Sequence, residues 1–254
     1  MLLALTRDVS PALAQCELTH LSRVPIDVGV ARAQHAAYER ALARLGCTVR
    51  RLEAGPDMPD SVFIEDIALV FAELAVATRP GAESRRAETA AVEAALGKHR
   101  RLVRIEPPGT LDGGDVLVAG RKVFVGCSSR TNLAAVEQLR TLLAPSGYSV
   151  AAVRVTGCLH LKSAVTSLGD GALLVNRAWT PVEPFAGFEL VDVHPDEASA
   201  ANALPVGGGL IFPAAFPRTR ERLERRGLEV RTVDASELAK AEGAVTCCSL
   251  VFEA

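Results

Sequence analysis

The chain has 254 residues, 49% hydrophobic and 23% charged, with a formal net charge of −2. That length supports a sizeable buried core, and the near-neutral charge offers no electrostatic handle for nucleic acid or an anionic membrane surface. No apolar run reaches the ~18 residues that span a bilayer, and no basic segment precedes the opening MLLALTRD, so the sequence predicts a cytoplasmic protein without nucleic-acid or membrane partners.

In chain order, LLALTR (2–7) reads as a strand and ARAQHAAYERALARLG (31–46) as a helix with apolar residues at helical spacing, ending at Gly46. One pattern then recurs every ~40–50 residues: a short strand, two strands that read as a hairpin, and an amphipathic helix. The first copy runs TVRRLEA (48–54), SVFIEDIALVFAELAVATR (61–79) and SRRAETAAVEAALGK (84–98). The second runs RLVRIEP (101–107), TLDGGDVLVAGRKVFVGC (110–127) and RTNLAAVEQLRTLLAP (130–145). A third runs SVAAVRVT (149–156) and HLKSAVTSLGDGALLVN (160–176), with only a short or irregular helix after it. A fourth runs FELVDV (188–193), AANALPVGGGLIFPA (200–214) and TRERLERRG (219–227). A fifth starts with LEVRTVD (228–234) and AVTCCSLVFEA (244–254), and the chain ends before its helix.

The N-terminal strand and helix supply what the fifth copy lacks. Pairing the last strand with the first would close a ring of five units and remove the exposed sheet edges. The expected fold is therefore an α/β, five-bladed pseudo-symmetric propeller of ββαβ units, with residues 1–254 as one catalytic domain. The competing reading is an ordinary α+β sheet of irregular order.

The six cysteines, at 16, 47, 127, 158, 247 and 248, show neither a CxxC pair nor zinc-finger spacing. They read as free thiols rather than ligands of a structural metal.

The repeat has a chemical consequence. At equivalent places, read as the middle of the first hairpin strand, stand Asp66, Asp112, His160, roughly Asn202, and Cys247, separated by 46, 48, 42 and 45 residues. In a closed ring such positions point towards one axis, which would gather two carboxylates, an imidazole and a thiol. A guanidinium carbon is a poor electrophile because its charge is delocalised. Its hydrolysis calls for carboxylates to hold the cation, a soft nucleophile, and a proton donor for the departing amine. Cysteine and histidine suit the last two roles. Arg85 and Arg130 follow Asp66 and Asp112 by 19 and 18 residues, and could clamp an α-carboxylate or be plain surface charge. Asp112 could serve a turn, His160 could be a core histidine, and Phe63 could be core as readily as pocket wall.

SVFIEDIALV, TRPGAESRR, TLDGGDVLV, SSRTN, LHLKS and GAVTCCSL together resemble the dimethylarginine dimethylaminohydrolase family, relatives of arginine deiminases and amidinotransferases, in the family's order from about residue 5 to residue 251. The resemblance implies a five-bladed α/β propeller and conversion of methylated arginines to L-citrulline and an alkylamine, with no metal or organic cofactor. It implies Cys247 as nucleophile, His160 as general acid and base, and Asp112 as the carboxylate that orients His160. Glu65 and Asp66 would face the guanidinium, with Phe63 as a wall. Asp60 would take the α-amino group, and Arg85 and Arg130 the α-carboxylate. Backbone at Leu18 and Ala241 would complete the shell beneath a lid over about residues 14–27. The implied partner is a small methylated arginine, and a homodimer is compatible with the family. The remaining alternatives are another guanidino substrate, such as arginine, or a non-catalytic binding protein on the same scaffold.

Overall fold

Fifteen short strands assemble into five separate three-stranded sheets in a computed structural model that describes all residues from Met1 to Ala254. In chain order the strands are β1 (Leu2–Arg7), β2 (Thr48–Leu52), β3 (Ala68–Val70), β4 (Leu74–Ala77), β5 (Arg101–Arg104), β6 (Val116–Ala119), β7 (Lys122–Cys127) and β8 (Ser149–Arg154). They continue as β9 (Val165–Gly169), β10 (Ala172–Val175), β11 (Glu189–Asp192), β12 (Leu204–Val206), β13 (Gly209–Pro213), β14 (Val230–Val233) and β15 (Leu250–Glu253). The sheets are β15-β1-β2, β3-β4-β5, β6-β7-β8, β9-β10-β11 and β12-β13-β14.

Every sheet has the same internal logic. An antiparallel hairpin supplies the first two strands, and a parallel third strand arrives after the intervening helix or loop. The strand that heads each copy in the sequence therefore belongs to the sheet of the copy before it. A crossover returns a chain to the sheet it has just left, so partners follow the connection rather than the start of the repeat. The first sheet is completed across the termini, with β1 antiparallel to β15 from Leu2↔Glu253 to Leu5↔Leu250 and parallel to β2.

Alternation along each strand feeds two neighbouring cores. On β1, Leu3 and Leu5 pack toward β3, β4 and Leu96, whereas Ala4 packs on the other side with Tyr38, Leu42 and Ile211. Five such cores occur, one in each gap between neighbouring sheets. The one joining β12–β14 to β1 closes the ring.

Helices fill the gaps. The helix α1 (Val28–Arg44) begins with Asp27 capping Val30 N–H and ends before Gly46 at φ +91°. After it come α2 (Thr89–Leu96) and α3 (Leu133–Leu143), then a single turn, α4 (Leu161–Ala164), and later α5 (Pro217–Arg225). The gap after the third hairpin has one 3₁₀ turn, Glu183–Phe185, in place of a helix. There Phe185 stands edge-on to Phe124 with centroids 4.9 Å apart, so aromatic bulk does the work of a helix face. No helix is long and apolar enough to cross a membrane.

Candidate active site

A short helical turn precedes the inner strand of every sheet: Ile64–Ile67, Gly113–Asp115, α4, Ala198–Ala201 and Thr246–Cys248. The chemistry-bearing residues sit on or beside these turns rather than in mid-strand. A short turn exposes side chains and N–H groups at its end, where a strand's are committed to the ladder.

The five turns are laced into a ring by hydrogen bonds. Gly114 N–H donates to Asp66 Oδ1 at 2.9 Å, and Leu161 N–H to Asp115 Oδ1 at 2.9 Å. Asn202 donates to the Lys162 carbonyl at 3.0 Å and accepts from Thr246 N–H at 3.0 Å. The Thr246 hydroxyl donates to Glu65 Oε2 at 2.8 Å, returning to the first turn. Two glycines allow this approach: a Cβ on Gly113 would lie 2.0 Å from the Glu65 carbonyl oxygen, and one on Gly114 would lie 2.4 Å from His160 Nδ1.

Inside the ring, His160 is held between carboxylates. Its Nε2 donates to Asp112 Oδ2 at 3.1 Å, and its Nδ1 lies 3.7 Å from Asp66 Oδ1. Burial disfavours the imidazolium, but Asp66, the bond to Asp112 and the nearby Asp115 outweigh it, lifting His160 to about 9. Asp112 is fully buried; its other oxygen accepts from Gly81 N–H at 2.9 Å. Although burial opposes ionisation of Asp66, His160 and Arg85 hold its carboxyl below the usual range.

Cys247 shares a small cavity with Asp60, Phe63, Asp66, Arg85, Arg130, His160 and Ala241. Its sulfur accepts from Ala244 N–H at 3.4 Å. Burial, then Glu65 and Asp66, push the thiol up to about 12, so the site pairs a thiol with an imidazolium. Cys248 points the other way into the core between α1 and the last strand.

Several residues differ from their sequence-based placement. Glu65 does not line this cavity. It faces the opening on the opposite side of the ring, paired with Lys162 at 2.6 Å and Thr246, because consecutive residues on a 3₁₀ turn diverge by roughly 120°. Asn202 ties turns together and stays outside the cavity. Leu18 packs on the core, and its neighbour Glu17 lines the cavity.

Arg85 is no surface cation: it is 4% exposed and grips Glu88 through two hydrogen bonds, Asp66 at 2.6 Å, and the carbonyls of Asp60 and Phe63. Arg130 is freer, 3.9 Å from Asp112 and bonded to the Thr19 hydroxyl. Asp60 accepts from Glu17 N–H at 3.1 Å, and burial raises its pKa. Lys162, Thr246 and Asp115 escaped the sequence reading, although the first lies in LHLKS beside His160 and the last closes TLDGGD. Asp66, Asp112 and His160 bring ligand-type atoms within 4.8 Å of one another. Their oxygens are already spent on Arg85, Gly114, Gly81 and a charged imidazole, which suits a proton site better than a cation site.

With this geometry in view, comparison with known proteins is decisive. A family model described as eukaryotic N,N-dimethylarginine dimethylhydrolase matches residues 25–177. An N(G),N(G)-dimethylarginine dimethylaminohydrolase of Streptomyces coelicolor is 45% identical over 97% of this chain and 95% of its own. The chain belongs to the dimethylarginine dimethylaminohydrolase family. The dimethylarginine dimethylaminohydrolase of Pseudomonas aeruginosa is 38% identical, over 89% of this chain and 90% of its own. A crystal structure of that protein, a cysteine-to-serine mutant complexed with citrulline, superposes with a TM-score of 0.93 over 98% of both chains at 36% identity. The N-terminal domain of ArgZ, a cyanobacterial arginine dihydrolase, shares the fold with a TM-score of 0.85 at 19% identity over 98% of this chain and 97% of that one.

Proposed function

We propose that this chain hydrolyses Nω-methylated arginines, asymmetric dimethylarginine and monomethylarginine, to L-citrulline and dimethylamine or methylamine. The observation that carries the reading is one small cavity bounded by a thiol, an imidazole lifted to about 9, and a buried carboxylate, Asp66.

Membership of the family supports the substrate class, and the geometry is consistent with the roles proposed for each residue. The substrate guanidinium lies against Asp66, and its positive charge offsets the acidic groups that keep Cys247 protonated. The thiol then gives its proton to solvent water, and the thiolate attacks the guanidinium carbon, forming the C–S bond. His160 gives its proton to the substituted nitrogen, the C–N bond breaks, and the neutral amine leaves a thiouronium on Cys247. Neutral His160 next takes a proton from water, whose oxygen adds to the same carbon. Collapse breaks the C–S bond and the hydroxyl proton passes to the departing sulfur, giving citrulline and the Cys247 thiol. Asp112 fixes the imidazole plane and stabilises its charge throughout. At the amino-acid end, Asp60 and Arg130 are the groups placed for the α-amino and α-carboxylate charges. Arg85 contributes the one N–H not already committed within the fold. The proposed role of Leu18 and Ala241 is backbone contact, and no cofactor is called for.

Incubation of purified protein with arginine, monomethylarginine and asymmetric dimethylarginine, assaying citrulline and the amine, tests the reading. Preferential turnover of the methylated substrates is expected; preference for plain arginine overturns it.

A further inference from the structure

Residues Thr19–Pro25, part of the expected lid segment that follows cavity-lining Glu17, have no regular structure, and all are exposed. Leu21 and Val24 are 51% and 44% exposed, so little apolar burial holds this lid. Polar contacts must do so. The densest is made by Glu242, whose carboxylate accepts from three successive lid amides: Thr19 N–H at 2.9 Å, His20 N–H at 2.5 Å and Leu21 N–H at 2.6 Å. Successive N–H groups converging on one anion form a nest, a geometry suited to charge-assisted bonds.

The backbone at Glu242 has φ +58°, in the left-handed region where a residue with a side chain is strained and glycine is favoured. Retaining a glutamate there has a local cost that the three bonds offset. Glu242 also lines the cavity and lies five residues before Cys247, between Ala241 and Gly243, on the loop that carries the nucleophile. The groups proposed for the substrate's amino-acid end hold the same lid: Asp60 accepts from Glu17 N–H, and Arg130 donates to the Thr19 hydroxyl.

We infer that Glu242 is a positioning residue, a carboxylate latch that fixes lid residues Thr19–Leu21 to the nucleophile's loop and so keeps the cavity closed during turnover. The inference rests on the proposal that this cavity is the methylarginine site. The latch contributes no group to bond making. It sets the fraction of molecules whose lid is closed, and apparent affinity scales with that fraction.

Two variants test it. Glu242→Gly removes the carboxylate and relieves the left-handed backbone, so the fold should be at least as heat-stable as the native one. Glu242→Gln keeps the length and loses the charge. In both, without substrate, amide exchange at Thr19–Leu21 should accelerate about 10-fold or more, and alkylation of Cys247 by iodoacetamide should rise with it. With asymmetric dimethylarginine, kcat/KM should fall by about the same factor, mainly through KM, more in Gly than in Gln. Unchanged exchange and alkylation in Glu242→Gly overturns the latch, whatever the activity. Faster exchange with unchanged kcat/KM overturns its role in the reaction. If native protein hydrolyses no methylarginine, the substrate reading fails, while the exchange and alkylation measurements still decide the latch.

Discussion

The ring of turns around the cavity and the proposed lid are both held by polar contacts, yet one is buried and the other is not. Asp66, Asp112, Asp115 and His160 are each at most 5% exposed, and each has its charge met by a fixed partner. The lid is solvent-exposed and held from outside by Glu242, Asp60, Arg130 and Ser84. Removing one member of the ring strands a charge away from water, which costs several kcal/mol. A lid bond that breaks is replaced by water at much lower cost. The ring therefore suits fixed chemistry, and the lid suits opening and closing.

Substitutions should expose that contrast. The largest effect is expected at Cys247, the proposed nucleophile: Cys247→Ser should lower citrulline formation by about 10⁴-fold or more with an unchanged melting temperature. Its neighbour should do the reverse, Cys248→Ser lowering the melting temperature while leaving kcat within about three-fold, because it removes a core contact. Asp112→Asn should reduce kcat by about 10²–10³-fold and move the alkaline fall of the kcat–pH profile below its native position, since Asp112 helps His160 keep its proton.

Lys162→Met should destabilise the fold by about 3–5 kcal/mol in denaturant unfolding by stranding Glu65. Adding Glu65→Gln should recover most of that loss. A KM for dimethylarginine within about three-fold of native in the double variant is expected if Glu65 faces away from the guanidinium; a KM raised 100-fold would break that assignment.

Stability should also depend on pH through His160. Its folded value of about 9 lies above its ordinary 6.5, so its contribution is complete below pH 6.5 and is lost as pH rises through 9. Urea midpoints should fall across that window, and the fall should shrink in Asp112→Asn. The smallest change is expected in the proposed lid: Leu18→Ala should leave kcat/KM within about three-fold, because its proposed contribution is a backbone contact that alanine retains.

Much of this molecule could be read from its sequence. The 40–50-residue recurrence, the strand alternation and Gly46 after α1 are local signals, and each has a structural counterpart in a sheet, a core or a cap. The spacing of Asp66, His160 and Cys247 points them to one axis, because near-equal intervals in a closed ring return to the same height; all three line one cavity, and Asp112 joins them through His160. The aromatic filling at Phe185 was visible only as a missing helix.

What tertiary structure alone decided was direction and partner. Glu65 and Asp66 are adjacent and chemically alike, yet one turn sends Asp66 to His160 and Glu65 to Lys162 on the far side of the ring. The same separation divides Cys247 from Cys248. Between clamp and surface cation the sequence left Arg85 open, and Glu88 and Asp66 enclose it; Glu242 gains its significance because residues 19–21, more than 200 positions away, lie within bonding distance. Periodicity along a chain reports which residues are buried. Which side of the ring they face, and what they meet there, depends on the register between units distant in sequence.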